Sequence, residues 1–292
     1  MKKILFIFIL ILGSHRAISQ ENTCTYFDLP TPKNTPLDFN PDVLDLKGSF
    51  KFNVELTHCD QIYFTTIDTN ENIYFSKKKN GIWSKPKIAS FSDSNHGDAD
   101  PFLTKDGNRI YFISKRPTSK TDKKLDWNIW FADKKDEAWS KPKPLPEPMN
   151  SEAFDEYFFS ISDKGKVFFS SNRKGGEGSF DIYTAKISSK NEFSKPVNVG
   201  RPLSTEKYEF DPYIAPDESF ILFSIYENND SDIYVGLKDE NGNWTEPQNL
   251  GEKINITNQD FAPSLSADGR FIFFSNDGKL KWVSSDILKT PN

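Results

Sequence analysis

The sequence of 292 residues is poor in the residues that build disulfide scaffolds. It contains only two cysteines, Cys24 and Cys59. Two cysteines are too few for a disulfide-rich scaffold, so the stability of the fold has to come from a hydrophobic core. The 26 phenylalanines supply ample material for such a core. The sequence leaves open whether Cys24 and Cys59 pair in an oxidising compartment or remain separate thiols.

The sequence also lacks the motifs of common enzyme classes. There is no Gly-x-Ser-x-Gly nucleophile elbow. Beyond residue 19 the only histidines are His58 and His96, which are too few to build a histidine-rich metal site. We therefore expect no metal ion and no cofactor. Acid and base catalysis by paired carboxylates stays an open alternative, because Asp and Glu are plentiful, although their spacing singles out no pair.

No hydrophobic run is long enough to cross a membrane as a helix, which takes about twenty residues. The one marked run covers residues 4–12, follows Lys2 and Lys3, and precedes the small-x-small element Ala17-Ile18-Ser19. This pattern is typical of a signal peptide. We predict that residues 1–19 are removed, and that the chain is exported to the periplasm or beyond the cell without a membrane span.

The charge of the chain is acidic and shows no basic stripe. Removal of residues 1–19 takes away Lys2, Lys3 and Arg16 and no acid, so the formal net charge of −5 becomes −8. Binding of nucleic acid needs clustered Lys and Arg to neutralise phosphates. The composition therefore argues against nucleic acid and against an anionic membrane surface as partners.

A repeat is the most informative feature that the sequence does contain. Its most visible element recurs at steps of 56, 54 and 51 residues. The copies are Trp83-Ser84-Lys85-Pro86, Trp139-Ser140-Lys141-Pro142, Phe193-Ser194-Lys195-Pro196 and Trp244-Thr245-Glu246-Pro247. Self-similarity at such a period indicates a repeat architecture.

Each repeat reads as four short strands. An apolar inner strand leads into an Asp-Gly-like hairpin turn, and an unbroken β-branched and aromatic second strand follows. The second strands are Ile62-Tyr63-Phe64, Ile110-Tyr111-Phe112, Val167-Phe168-Phe169, Ile221-Leu222-Phe223 and Ile272-Phe273-Phe274. The Trp-Ser-Lys-Pro element is interpreted as the outer, fourth strand, because proline cannot donate to a central ladder.

These repeats predict an all-β propeller of four-stranded antiparallel blades. The predicted repeats cover approximately residues 50–97, 98–151, 152–205, 206–256 and 257–288. The fifth copy ends without an outer strand, and Pro36 stands at nearly the right spacing to supply it. We therefore predict five blades, with residues 33–39 of the N-terminal arm (residues 20–49) closing the last blade. A six-bladed ring is the alternative, and a monomer is expected.

The repeat resembles the WD40-like propeller repeat of TolB-type periplasmic proteins, which reads Ser-Pro-Asp-Gly-x-x-Ile-Tyr-Phe-x-Ser followed by Asp-Ile-Tyr. The best match runs from Pro212-Tyr213-Ile214-Ala215-Pro216-Asp217 to Ser224 and continues at Asp232-Ile233-Tyr234. The resemblance covers essentially residues 50–284. It implies a propeller fold and a periplasmic location. The family includes scaffolds for protein contacts, propellers attached to peptidases and polysaccharide-acting relatives, so the resemblance does not fix a function.

An acidic column gives the first set of candidate site residues. It consists of a carboxylate just before the inner strand in four repeats, with Lys51 in the first: Asp98, Glu156, Glu209 and Asp260. Carboxylates that converge near one mouth of the channel would bind a cation or a basic partner segment. Alternatively, each one caps a turn or pairs with a neighbouring blade. A second polar position, two residues further on, holds Asn53, Asp100 and Asp211 and is expected to share a face with the first because side chains alternate along a strand.

Two long loops contain the second set of candidate site residues. Residues 115–127 and 172–178 follow the second strands of repeats two and three, on one face of the ring. They carry Arg116, Trp127 and Arg173. Because Trp and Arg favour interface hot spots, these side chains are candidates for a ligand or partner patch.

The sequence thus favours a non-enzymatic binding or protein-interaction module of the bacterial cell envelope, with an envelope protein or a glycan as partner. The alternative is a carbohydrate-binding or carbohydrate-active propeller that uses carboxylates at the channel mouth.

Overall fold

The computed structural model describes residues 26–46, 50–67 and 69–289. The predicted signal peptide and Cys24 lie outside the described residues. Cys59 is held in a disulfide. The described residues form β-strands and two short 3-10 helices, Asp42–Leu44 and Ser285–Lys289, and contain no helix able to span a membrane.

The strands form five antiparallel sheets, each of which is one blade. Blade 1 consists of β2 (Phe50–His58), β3 (Gln61–Ile67), β4 (Glu71–Lys79), β5 (Ile82–Trp83) and β6 (Lys87–Ile88). Blade 2 consists of β7 (Asp98–Leu103), β8 (Arg109–Ser114), β9 (Asn128–Lys135), β10 (Ala138–Trp139) and β11 (Lys143–Pro144). Blade 3 consists of β12 (Glu156–Ile161), β13 (Lys166–Ser171), β14 (Asp181–Lys186) and β15 (Val197–Asn198). Blade 4 consists of β16 (Tyr208–Ile214), β17 (Phe220–Glu227), β18 (Asp230–Leu237) and β19 (Gln248–Asn249). Blade 5 consists of β20 (Asp260–Leu265), β21 (Phe271–Asn276), β22 (Lys279–Ser284) and β1 (Leu37–Asp38).

The ring has five blades and is closed by the N-terminal arm, as the sequence predicts. Strand β1 pairs with β22 through Leu37 opposite Trp282. The backbone N–H of Phe39 donates to the carbonyl of Leu280 at 2.8 Å, and the Phe39 ring packs 4.8 Å from Phe273. The inner strands β2, β7, β12, β16 and β20 contact one another in that order around the axis, and β20 returns to β2. The alternative of six blades is therefore wrong.

The outer strands lie slightly later in the chain than the sequence suggests. In each of the first four blades the outermost pairing residues follow the proline of the Trp-Ser-Lys-Pro element, as β6 follows Pro86 and β15 follows Pro196. The first residue of the element instead bridges to the end of the third strand, as Trp83 does to Lys78 and Trp244 to Lys238. Because proline cannot donate to the ladder, it separates these two short pairings.

The core lies mainly between the blades. The second strands are buried on both faces, as their unbroken apolar sequence predicts. Tyr111 of blade 2 stacks on Phe159 of blade 3 with ring centroids 4.0 Å apart. Such aromatic contacts across blade boundaries hold neighbouring sheets together without helices.

A bulge interrupts every inner strand at the same place. One residue of each blade has a left-handed backbone with φ between 44° and 54°, and the pairing to the second strand shifts there. These residues are Asn53, Asp100, Phe158, Asp211 and Ala262. A bulge re-aims a side chain relative to a regular strand. The simple alternation that places this position on the same face as the acidic column therefore does not apply.

The two ends of the ring differ. One end, the loop face, carries residues 115–127 and 172–180 and the segments that enter each inner strand. The opposite end, the turn face, carries the hairpin turns between the first and second strands, residues 104–108, 162–165, 215–219 and 266–270.

Candidate functional site

The acidic column is fully buried beneath the loop face. The four carboxylates that stand at or next to the first residue of an inner strand are Asp98, Glu156, Glu209 and Asp260. Each accepts a hydrogen bond from a backbone N–H three to five residues earlier in the chain. At the equivalent position of blade 1, Lys51 donates from Nζ to the carbonyl of Leu46 at 3.1 Å. The column therefore fixes the segment through which the chain enters each blade.

Two of these carboxylates form buried ion pairs with the predicted loop arginines. Nη2 of Arg116 lies 2.6 Å from Oδ2 of Asp98. Nη2 of Arg173 lies 2.8 Å from Oε1 of Glu156. Burial raises the pKa of both carboxyl groups, while the adjacent guanidinium favours the ionised form. The structure thus brings four of the predicted site residues together, but as two separate pairs inside the protein.

The other two carboxylates are held without an arginine. Glu209 accepts hydrogen bonds from the hydroxyl of Thr205 at 2.6 Å and from its backbone N–H at 3.2 Å. Asp260 accepts from the backbone N–H of Ile256 at 2.7 Å and from the side-chain amide of Asn276. Of the two alternatives that the sequence leaves open, capping a turn is the one for which the structure shows hydrogen bonds.

Both arginines are further tied to the backbone and to rings. Arg116 donates to the carbonyl of Phe91 at 2.7 Å. Arg173 donates to the carbonyl of Pro148 at 3.1 Å, and its guanidinium lies 4.9 Å from the Phe169 ring centroid. Arg173 uses Nε, Nη1 and Nη2 in hydrogen bonds and so has few donors left for a ligand, whereas Arg116 bonds through Nη2 and its buried Nη1 has no partner among the described residues.

Trp127 takes a different position from the two arginines. Its ring packs 5.8 Å from that of Tyr157 at the start of blade 3, and the ammonium of Lys115 lies 4.3 Å from its centroid. Lys115 in turn lies 3.8 Å from Glu71 of blade 1. Trp127 therefore belongs to the aromatic surroundings of the channel mouth and is separate from the buried ion pairs.

The bulge positions bring two further carboxylates to the axis of the ring. Asp100 lies on blade 2 and Asp211 on blade 4, which are not neighbours, and yet the two carboxylates interact electrostatically. Asp211 accepts hydrogen bonds from the hydroxyl of Ser224 at 3.1 Å and from the backbone N–H of Ala262 at 3.0 Å. The side chain of Asn53 on blade 1 bonds to Asp100. We call Asp100 and Asp211 the axial pair.

The axial pair is electrostatically uncompensated. Burial and the charge of Asp211 raise the pKa of Asp100 well above its usual range, against the hydrogen bond from Asn53. Burial raises the pKa of Asp211 to about 6, although its own hydrogen bonds oppose the rise. No lysine or arginine contributes to either shift, and neither carboxylate has an ion-pair partner within the described part of the chain. The pair therefore holds a proton to a higher pH than ordinary aspartates do.

Aromatic side chains surround the axial pair on the loop face. Tyr157 feels the charges of Asp100 and Asp211, and its ring packs 5.4 Å from Phe180 and 5.9 Å from Phe210. On the opposite side of the axis the rings of three more residues pack against one another: Phe50, Phe52 and Phe261. Several of these rings are only partly buried, and Asp211 is partly exposed. The arrangement is an acidic centre with an aromatic border.

Asn53, Asp100 and Asp211 stand out in the sequence only as a second polar position beside the acidic column. The signal that distinguishes the two positions is the residue type at the bulge. Asn and Asp tolerate a left-handed backbone, whereas the same position holds Phe158 and Ala262 in the other blades. A metal site is not apparent, since the described residues include no group of three His, Cys, Asp or Glu side chains able to hold an ion.

Comparison with known proteins finds structures of similar fold but does not identify an activity for this chain. The sequence matches no protein-family model and no curated protein. Among solved structures, it is similar to a protein described as TolB from Agrobacterium tumefaciens, with 13% identity, a TM-score of 0.50 and coverage of 79% of this chain and 71% of the other. It is similar to the catalytic domain of an α-L-arabinofuranosidase from Coprinopsis cinerea, with 12% identity, a TM-score of 0.53 and coverage of 86% and 95%. A third structure, an α-L-arabinofuranosidase from Podospora anserina, has 12% identity, a TM-score of 0.50 and coverage of 82% and 92%. At such identities the likeness shows the propeller fold alone.

Proposed function

We propose that this chain is an exported, non-enzymatic binding module of the bacterial cell envelope, and that it recognises a basic segment of a partner protein at the loop face. The axial pair, Asp100 and Asp211, carries this proposal. It replaces the buried column of Asp98, Glu156, Glu209 and Asp260 as the group that faces the partner.

The uncompensated charge of the axial pair is the main support. Two carboxylates brought together away from water destabilise each other, and a nearby cation would relieve that repulsion. The described residues provide no such cation at the axis. A lysine or arginine of a partner would supply it, and its binding would displace the proton that the pair retains.

The aromatic border supports a protein partner. Partly exposed rings such as Tyr157 and Phe210 can pack against the aliphatic stem of a lysine or arginine and attract its charged end. Trp127 is itself buried and packs against Tyr157, so it holds this border in place without being exposed. Aromatic anchors around a small polar centre are the composition that interface hot spots favour.

The test is affinity capture from the envelope fraction of the host, with the tagged chain from Gln20 onward as bait. The comparison is with the double variant Asp100→Asn/Asp211→Asn, which keeps the side-chain shapes but removes the charge. The control is Glu240→Gln/Glu246→Gln, which changes two exposed acids by the same charge. A partner captured by the wild type and the control, and lost with the axial variant, supports the proposal. A partner captured equally by all three contradicts it.

A second candidate function is a carbohydrate-active propeller, and the same pair of residues would carry it. Two carboxylates whose environments separate their pKa values provide an acid and a base. Here Asp100 would be the protonated member and Asp211 the ionised one. A screen for polysaccharide cleavage tests this directly. Turnover by the wild type that is lost in Asp211→Asn without loss of thermal stability would replace the binding proposal.

A further inference from the structure

The turn face contains a cavity that the function proposed above does not use. Its volume is about 960 Å³, and the turns of blades 2, 3, 4 and 5 frame it. The cavity lies at the end of the ring opposite the loop face, where the inner strands run out. Ligand sites of this size hold molecules as large as drugs or short peptides.

The floor of this cavity is apolar. It is formed by side chains near the ends of four inner strands, beyond the bulges: Phe102, Ile161, Tyr213 and Leu265. All four remain partly exposed in the structure. Ile187 and Phe220 extend the apolar surface toward the wall. Exposed apolar area at a concave site is released from water when a ligand covers it.

The wall of the cavity is strongly acidic. Its lining includes six acidic side chains and only two basic ones, Lys105 and Arg109. Both bases are paired, Lys105 with Asp163 at 2.8 Å and Arg109 with Asp133 at 2.6 Å, and Asp268 is paired with Arg270 at 2.7 Å. The acidic side chains still outnumber the basic ones, so the wall carries a net negative charge. Hydrogen bonds within the turns hold the pKa of Asp106 below its usual range, so this carboxylate stays charged at neutral pH.

Charge and surface together define the ligand chemistry. An apolar floor inside an acidic wall excludes anions and favours a cation that also carries apolar groups. The apolar side chains lie at the ends of the inner strands and most of the acids lie in the turns beyond them, so a ligand that carries both kinds of group along its length can contact both. We propose that the turn-face cavity binds a short extended segment of a partner protein in which basic and apolar side chains alternate.

The experiment uses the purified chain from Gln20 onward and three fluorescein-labelled octapeptides. One alternates lysine and leucine, one alternates glutamate and leucine, and one alternates lysine and serine. Fluorescence anisotropy should show at least tenfold tighter binding of the lysine–leucine peptide than of either other peptide. Hydrogen exchange should slow in residues 104–108 and 162–165 when that peptide is added. Equal binding of all three peptides would overturn the proposal.

Two variants test whether the lysine–leucine peptide binds in the turn-face cavity. The triple variant Asp106→Asn/Asp163→Asn/Asp217→Asn removes three charges from the turns, and the amide oxygen of Asn can still accept the hydrogen bonds from Thr104 and Ser219 that hold two of these turns. It should weaken binding at least tenfold. The charge-matched control Glu240→Gln/Glu246→Gln/Glu252→Gln changes three exposed acids outside the cavity and should bind as the wild type does.

The axial variant Asp100→Asn/Asp211→Asn separates this inference from the loop-face proposal. It should leave binding of the lysine–leucine peptide unchanged, whether or not it loses the envelope partner. Loss of peptide binding in the axial variant, or unchanged binding in the triple variant, would place the peptide elsewhere and overturn the inference.

Discussion

Asp100 and Asp211 lie on blades that are not adjacent in the ring, and their carboxylates nevertheless interact across its axis. A left-handed residue in each inner strand places them there, with φ of 54° at both. The fold gains nothing from the repulsion between the two charges. Natural proteins keep such destabilising arrangements where a function requires them. This relationship is the reason for placing the site at the axis.

Removal of one axial charge should stabilise the protein. We expect Asp211→Asn to raise the free energy of unfolding by about 1–3 kcal/mol at pH 7.5, since a pKa shift of one unit corresponds to about 1.4 kcal/mol. Urea denaturation measures this change. The exposed Asp286→Asn should change it by less than about 0.5 kcal/mol. A destabilised Asp211→Asn variant would show that the hydrogen bonds of Asp211 outweigh its repulsion with Asp100.

Stability should fall as the pH rises from 5 to 8. The folded protein has carboxyl groups whose pKa is raised by burial, to about 6 at Asp211 and to about 7 at Glu209. In this range the folded chain holds more protons than the unfolded chain, so a rise in pH favours unfolding. Thermal melts at fixed ionic strength measure the slope. It should be shallower in Asp100→Asn/Asp211→Asn, and a slope equal to that of the wild type would contradict the axial pKa shifts.

The buried arginines should matter for stability. Arg173→Ala leaves Glu156 as an unpaired buried carboxylate, and a loss of about 3–5 kcal/mol is expected for such a change. The control is Arg201→Ala, because Arg201 pairs with Glu177 at the exposed surface, where ion pairs contribute about 0–1 kcal/mol. Similar losses of unfolding free energy in the two variants would show that the Glu156–Arg173 pair is not structural.

Closure of the ring should depend on Phe39. Its ring is buried against Phe273 and Trp282, so Phe39→Ala should cost about 3–5 kcal/mol of unfolding free energy. Leu37 lies in the same closing strand but is exposed, and Leu37→Ala should cost less than about 1 kcal/mol. Chemical denaturation of the two variants provides the comparison. Equal, small effects would mean that the arm does not hold the last blade.

The fold could be predicted from the sequence because the same turn and strand patterns recur in successive repeats. Four copies share an Asp-containing hairpin turn and all five share a second strand buried on both faces, so the five repeats form five similar blades. The position of the closing strand followed from the spacing of Pro36, and β1 lies at Leu37–Asp38. The outer strands were displaced by a few residues because proline marks an edge without showing on which side of it the pairing lies.

The site was predictable only in part, because a sequence does not show where a strand bulges. Regular alternation treats Asp98 and Asp100 as equivalent, but the bulge turns Asp100 toward Asp211 while Asp98 pairs with Arg116. Likewise, Arg116 and Arg173 follow the end of a strand, where the sequence suggests exposed loop residues. Their ion pairs with buried carboxylates are visible only in the structure. Trp127 is the one predicted site residue that packs in the aromatic border.

Photo-crosslinking in the intact host is the most direct test of whether the axial pair binds a partner protein. A photoreactive amino acid would replace Phe261 at the aromatic border of the loop face or, in a second strain, Ser189 at the turn-face cavity. We expect position 261 to give a specific crosslinked protein and Asp100→Asn/Asp211→Asn to remove it. A crosslink at position 261 that persists in the axial variant, or no crosslink there at all, would contradict the claim that the axial pair binds the partner.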